Sequence, residues 1–177
     1  MKKLIITSIF AILPMVSFAA MPFVGLYQTI DDETNAPKSI VVLYEYPEEP
    51  GDDDLCLAGR IVALYGPDGT ISETLANPTR IADKVSGSPK MVGMDILWNM
   101  EWDSDDAQYE DGKIMDPKTG KIYSSVAWQD SPEYLNVRGK IGPFGRTQRW
   151  NVVDSSVLPV ELQNIDTTGW VPFIRRK

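Results

Sequence analysis

Between Gly112 and Trp150 the chain passes through three extended segments, GKIMDPKTGKIYSSV, YLNVRGKIG and GRTQRW, separated by turn residues. Tyr134 to Ile141 carries the cleanest alternation, with Leu135, Val137 and Ile141 on one face and Tyr134, Asn136, Arg138 and Lys140 on the other. A period of two is the mark of a half-buried strand. Asp116-Pro117-Lys118-Thr119-Gly120 and Gly142-Pro143-Phe144-Gly145 hold proline and glycine where tight turns need them. Extended segments joined this closely form the closing part of an antiparallel sheet. They carry no nucleophile and base pair, no metal-ligand spacing and no phosphate loop.

The same patterning recurs upstream. Phe23 to Ile30 alternates, Asp31 to Asn35 supplies a turn, and Lys38 to Tyr46 resumes as a β-branched and aromatic strand, which together predict a hairpin. Leu55 to Tyr65 is an apolar strand interrupted by Gly59, where a bulge or a close backbone approach is expected. Arg60 lies on the face of Val62 and Leu64, so it is either half-buried against a carboxylate or snorkelling to water; the first makes it a ligand candidate. Asn77 as N-cap, Pro78 at the first helical position and Gly87 as the stop predict one short helix that flanks or plugs the sheet. Met91 to Trp102 is rich in Met and Trp and reads as core strand, pocket wall or surface contact, with core favoured. After Asp154 the pattern degrades, and Trp170 and Phe173 predict a segment that folds back over the domain.

Composition narrows the chemistry. Histidine is absent, which removes Ser-His-Asp and Cys-His catalysis, the usual zinc sites and the usual neutral-pH proton shuttle. The Asp31 to Asn35 and Asp103 to Asp111 stretches hold clustered acids, but neither has calcium-loop spacing; Ala107 and Gln108 fall where such a loop needs a polar ligand and glycine. Both read as solvated loops, so no metal and no cofactor is expected. The net charge of −8 argues against nucleic acid and anionic membrane surfaces as partners.

Met1-Lys2-Lys3, the uncharged run Leu4 to Phe18 and small residues at Ala19 and Ala20 predict a secretory signal peptide over residues 1–19. The run is shorter than the ~20 apolar residues a membrane span needs, and Pro14 further disfavours a continuous spanning helix. Cleavage implies a soluble protein in the periplasm or the medium. Of the 177 residues, 158 remain after those 19, enough for one domain with its own core. The single cysteine, Cys56, has no internal partner for a disulfide and sits in an apolar run as a small hydrophobe.

These residues resemble a bacterial family known as domain of unknown function 2147. The resemblance is carried by Gly25-Leu26-Tyr27 with Asp31-Asp32, Leu55-Cys56 with Gly59-Arg60-Ile61-Val62, Asn77-Pro78 with Arg80, Asp116-Pro117 with Gly120-Lys121 and Tyr123, Val137-Arg138-Gly139, and Gly145-Arg146-Thr147-Gln148-Arg149-Trp150. The chain departs from the family pattern at Tyr27, where tryptophan is usual, in the acidic loop Glu48 to Asp54, around Met100 to Glu110 and after Val153. The family implies secretion without an established activity, and its architecture looks like a calycin, a lipocalin-like antiparallel barrel of about eight strands over residues 20–153, with residues 154–177 as an appended segment. Gly25-Leu26-Tyr27 is similar to the lipocalin Gly-x-Trp signature, which implies that Arg146 or Arg149 stacks on Tyr27 to close the barrel floor.

A barrel of about eight strands has room for one small ligand. The function expected is therefore binding of an apolar or amphipathic small molecule, without catalysis. Met91, Trp98, Tyr123 and Trp150 are the candidate apolar walls, and Arg60, Arg138 and Gln148 the candidate groups that orient a polar end. The alternatives are a filled barrel with no cavity, an envelope protein-interaction module that uses the C-terminal tail, and a glycosidase-type carboxylate pair, for which 25 acidic residues make any single pair uninformative.

Overall fold

The computed structural model describes residues 23–174; the signal-peptide reading over residues 1–19 lies outside them. Nine strands run in order: β1 Gly25–Ile30, β2 Pro37–Pro47, β3 Leu55–Tyr65, β4 Ile71–Thr74, β5 Asp95–Asp103, β6 Gln108–Asp116, β7 Lys121–Ser131, β8 Tyr134–Ile141 and β9 Phe144–Val152. All pairings are antiparallel. Around the sheet the order is β2-β1-β9-β8-β7-β6-β5-β3, and β2 pairs with β3, which closes eight strands into a barrel and leaves β4 as a short addition on β3. Closure at β1 and β9 rests on the pairs Tyr27↔Val152 and Gln28↔Asn151.

The helix expected from Asn77 to Gly87 does not form; among the described residues the only helical turns are two single 3-10 turns, Ser155–Val157 and Val160–Leu162. The reason lies in competing hydrogen bonds. Asn77 Oδ1 accepts from the backbone and hydroxyl of Thr74 behind it, at 2.9 and 2.8 Å, rather than capping the residues ahead. Further along, Ala82 N–H donates to Pro89 O and Arg80 O accepts from Met91 N–H, so groups that a helix would pair internally are spent on the returning chain. An isolated bridge between Ile81 and Lys90 then folds the segment back on itself. Its far end reaches the β6–β7 turn, where Gly120 has φ +67° and a Cβ would lie 2.4 Å from Lys84 O.

Strands β2 and β3 are apolar on both faces, and both faces are covered. One face contributes Val41, Leu43, Leu57 and Ile61 to the cluster that fills the barrel with Tyr27, Leu97, Met100, Leu135 and Trp150. The other contributes Ile40, Val42, Tyr44, Cys56 and Val62 to a second cluster, covered by Leu158, Leu162, Ile165 and Trp170 of the C-terminal segment. Cys56 is buried there, and burial is the largest effect pushing its thiol up to about 11. The outward faces of β7 to β9 are different: Lys140, Arg138, Thr147 and Arg149 lie on them in contact with solvent.

The C-terminal segment is anchored at a buried carboxylate. Asp95, 3% exposed, accepts from Tyr44 Oη at 2.7 Å, from Arg60 Nε and Nη2 at 2.9 Å each, and from the backbone N–H of Phe173 at 3.0 Å. The Arg60 guanidinium lies 4.3 Å from the Trp170 ring centre and donates to Val171 O. Burial first, and then the adjacent Asp95 charge, hold the Tyr44 phenol well above its ordinary pKa.

Candidate functional site: a chamber at one end of the barrel

The two ends of the barrel are closed unequally. At the end where the β5–β6 turn lies, Phe23, Trp102 and Tyr109 meet edge to face or tilted, with ring centres 5.1 to 5.8 Å apart. Such a cluster packs large rings into this end and adds to area burial through ring-edge electrostatics. At the other end, bounded by the β1–β2, β6–β7 and β8–β9 turns, an open chamber of about 930 Å³ enters the barrel.

All eight barrel strands contribute to its wall. Thr29 and Ser39 face it from β1 and β2, Ile61 and Leu64 from β3, Ile96 from β5, Ile114 from β6, Tyr123 from β7, Val137 and Gly139 from β8, and Gln148 and Trp150 from β9. Alternation explains most of the set, since each strand presents every second side chain inward; Leu64 joins Ile61 through the register shift opposite Ile40 and Val41. Gly139 keeps the space open between Ile114 and Tyr123, where a Cβ would make ordinary contacts at 3.4 and 3.5 Å.

Polar groups lie at defined depths. Thr29 Oγ1 and Ser39 Oγ are 2.6 Å apart, so each satisfies the other on the wall. Trp150 Nε1 donates to Gln148 Oε1 at 3.2 Å, and Gln148 Nε2 donates to Asp32 Oδ2 at 2.6 Å. Asp32 also pairs with Arg146 at 3.2 Å, and Asp31 with Lys118 at 3.4 Å. The β1–β2 loop is thereby tied across the mouth to the β6–β7 and β8–β9 turns. The N–H groups of Thr34 and Glu33, with the Thr34 hydroxyl, hold the Asp31 carboxyl at a pKa of about 2. On the opposite rim, burial would raise the Glu73 pKa, but the N–H groups of Arg80 and Thr79 and the Arg80 side chain outweigh it, so it falls to about 2.

Of the seven residues proposed from sequence for ligand contact, Met91, Tyr123, Gln148 and Trp150 line the chamber. Arg60, Trp98 and Arg138 do not. Arg60 faces outward into the Asp95 anchor beneath the C-terminal segment. Trp98 is buried, but its pairing with Lys113, next to Leu97↔Ile114, turns it to the other face of β5. Arg138 is on the outer face of β8, donating to Thr147 Oγ1 across the β8–β9 pair.

The expected stacking of Arg146 or Arg149 on Tyr27 is also absent. Arg149 projects outward, 4.7 Å from the Tyr134 ring centre, and Arg146 is at the mouth with Asp32. Tyr27 is instead buried among apolar side chains, and that burial pushes its phenol up to about 12. Phe23, Trp102 and Tyr109 close the floor in place of the arginine. Sequence reasoning missed Asp32 as the hub of the mouth, and no local pattern signals it, because its partners lie 114 or more positions away in the chain. It also missed Ile61, for which strand parity was an available signal, and Leu64 and Ile96, which register shifts turn inward against that parity.

The comparisons with known proteins agree with this architecture. A solved structure described as "Protein HP1028 from the human pathogen Helicobacter pylori belongs to the lipocalin family" superposes with a TM-score of 0.57 at 18% identity, covering 81% of this chain and 88% of that one. At that identity the likeness shows the fold, and the fold is a lipocalin-like barrel. No curated protein matches the chain in sequence. The model of a family described as "uncharacterized protein conserved in bacteria", DUF2147, matches residues 25–152, the span from the first barrel strand to the last. The chain belongs to the DUF2147 family.

Proposed function

We propose that the protein binds one small amphipathic molecule in the chamber, apolar part inward, and performs no chemistry on it. The observation that carries this reading is the volume of about 930 Å³ open at one end, within the ~300–1,000 Å³ range of small-molecule sites. Ile61, Leu64, Ile96, Ile114, Val137 and Trp150 offer an apolar wall for a chain or ring. Near the mouth, Gln148, Tyr123 and Arg146 offer donors to a polar head. Gln148 and Arg146 are held by Asp32, so a head group with an anionic or acceptor oxygen would compete with Asp32 for the same donors. The basic start, apolar run and small residues of Met1 to Ala19 support secretion to the periplasm or the medium.

Tail-mediated binding of another protein has less support. Of the two residues that motivated it, Trp170 meets Tyr44 edge-on beside Arg60 and is occupied within the chain, while Phe173 is 67% exposed with its backbone N–H held by Asp95.

Native mass spectrometry of protein purified from its own source tests the proposal. The expected result is a retained amphiphile of roughly one per chain, released by organic extraction. Protein that carries nothing and takes up none of a series of monoacyl amphiphiles offered at saturating concentration would overturn it.

A further inference from the structure

The net charge of the chain conceals two unlike parts. From Gly112 to Val152 there are seven Lys and Arg against three Asp and Glu; the whole chain has 17 against 25, so the remainder holds ten against 22. The basic part is the set of strands whose hairpins form one lip of the chamber mouth. Lys121 and Lys140 lie beside the turns of those hairpins, and among the described residues neither is in an ion pair.

The same lip is apolar at its tip. Ile141 and Phe144 pair across the β8–β9 turn and are 61% and 79% exposed. By strand parity they share the inward face with Val137 and Trp150, but they stand beyond the rim, where no opposite strand covers them. The apolar wall therefore runs unbroken from the buried chamber to an exposed edge. A ligand arriving through water gains little from that edge. One leaving a lipid layer would keep its chain on apolar surface throughout.

From this juxtaposition of an exposed Ile141–Phe144 tip, flanking unpaired lysines and a continuous path into the chamber, we infer that the β8–β9 lip docks on an anionic lipid bilayer. The inference deepens the chamber reading by naming the phase that supplies the amphiphile. The repulsion expected from a net charge of −8 acts elsewhere: Glu48, Glu49 and Asp52 to Asp54 sit on the β2–β3 connection, and Asp103, Asp105 and Asp106 at the β5–β6 turn, both at the opposite end. Repelled by the surface, that end turns the mouth toward it. Asp116 lies on the lip itself beside Lys121, its carboxylate turned to Lys118 N–H and the Thr119 hydroxyl, and Glu33 and Asp68 lie on the far side of the mouth, so contact is through one lip and not the whole rim.

Co-sedimentation of the full chain with vesicles tests this. Binding is expected to vesicles containing phosphatidylglycerol, not to phosphatidylcholine alone, and should weaken as salt is raised. The Phe144→Ser, Ile141→Ser double variant should lose it. The Lys121→Gln, Lys140→Gln pair should weaken it by about fivefold per cation, while uptake of a soluble monoacyl probe stays unchanged. Lys121 is exposed and Lys140 half-buried on an outer strand face, so neither change removes a core contact. Vesicle binding that is absent in the wild type, or equal in these variants, would overturn the inference, as would a wild-type dimer that Phe144→Ser dissolves, since the tip would then be covered by a second copy. Vesicle binding without probe uptake would leave the docking intact and refute the chamber; probe uptake without vesicle binding would do the reverse.

Discussion

The floor and the mouth of this barrel are built by the same alternating strands, yet one is solid and the other hollow. At the floor, large rings converge: Tyr109 is wholly buried, and Phe23 and Trp102 lean on it. At the mouth, the inward positions hold Thr29, Ser39, Gly139 and Gln148, too small or too polar to fill the space between strands. The floor is held by packing, and the mouth by ion pairs and hydrogen bonds strung between turns. Side-chain volume, not topology, decides which end of such a barrel can hold a ligand.

Truncation should separate the two ends most strongly. Tyr109→Ala is expected to cost about 3–5 kcal/mol through lost burial and the cavity left behind, whereas Tyr123→Ala, which borders existing space, should cost about 1 kcal/mol or less. Denaturant unfolding of the two variants gives the comparison, and equal losses would mean that the chamber wall is as tightly packed as the floor. Asp95→Ala should be nearly as severe as the floor truncation, about 3 kcal/mol or more, because it strands the Arg60 charge and releases the Tyr44 and Phe173 donors. Limited proteolysis should then cut the chain after Val153 first.

The glycines offer a finer contrast. A Cβ at Gly112 would lie 1.9 Å from Met100 Sδ, while at Gly139 its nearest neighbour is 3.4 Å away. Gly112→Ala is expected to lower stability by about 1–3 kcal/mol, and Gly139→Ala to change it by less than about 0.5 kcal/mol. Thermal melts of both suffice.

Acid should act on the mouth before the floor. The Glu73 pKa is depressed in the fold, from an ordinary 4.5 to about 2, so its contribution is present above the ordinary value and lost as pH falls through that window. One proton taken up on unfolding gives a slope of at most about 1.4 kcal/mol per pH unit. Glu73→Gln should flatten the acid limb, and hydrogen exchange should show Thr79 and Arg80 opening first. An unchanged slope would remove Glu73 from this role.

Much of the barrel was legible because alternation survives wherever one face of a strand is buried and the other is wet, as in Tyr134 to Ile141. The strands β2 and β3 gave no such contrast, since the C-terminal segment covers their outer face, and so nothing local told which side of β3 held Arg60. The bulge between Ile40 and Val41 also shifts the register against β3 and turns Leu64 into the chamber, away from the face of Arg60 and Val62. The helix expected after Asn77 failed for a reason that lies outside its own sequence, because residues 89–91 take the backbone hydrogen bonds of Arg80 and Ala82 that a helix would close internally. Strand β4 is four residues long and lies between two turns, too short for a period to show. Met91, Tyr123, Gln148 and Trp150 were recognisable by residue type alone. Asp32 was not, because its role comes from closure of the barrel.

The central claim is that the mouth is a ligand chamber and the floor is not, and a fluorescent monoacyl amphiphile titrated into wild type and Gly139→Phe tests it most directly. A Cβ at position 139 already touches Ile114 and Tyr123, so a phenyl ring there would project past them into the chamber. Saturable binding at one probe per chain in the wild type, reduced at least tenfold in a Gly139→Phe variant that melts normally, is the predicted result. Binding of equal strength in both proteins, or none in either, would contradict it.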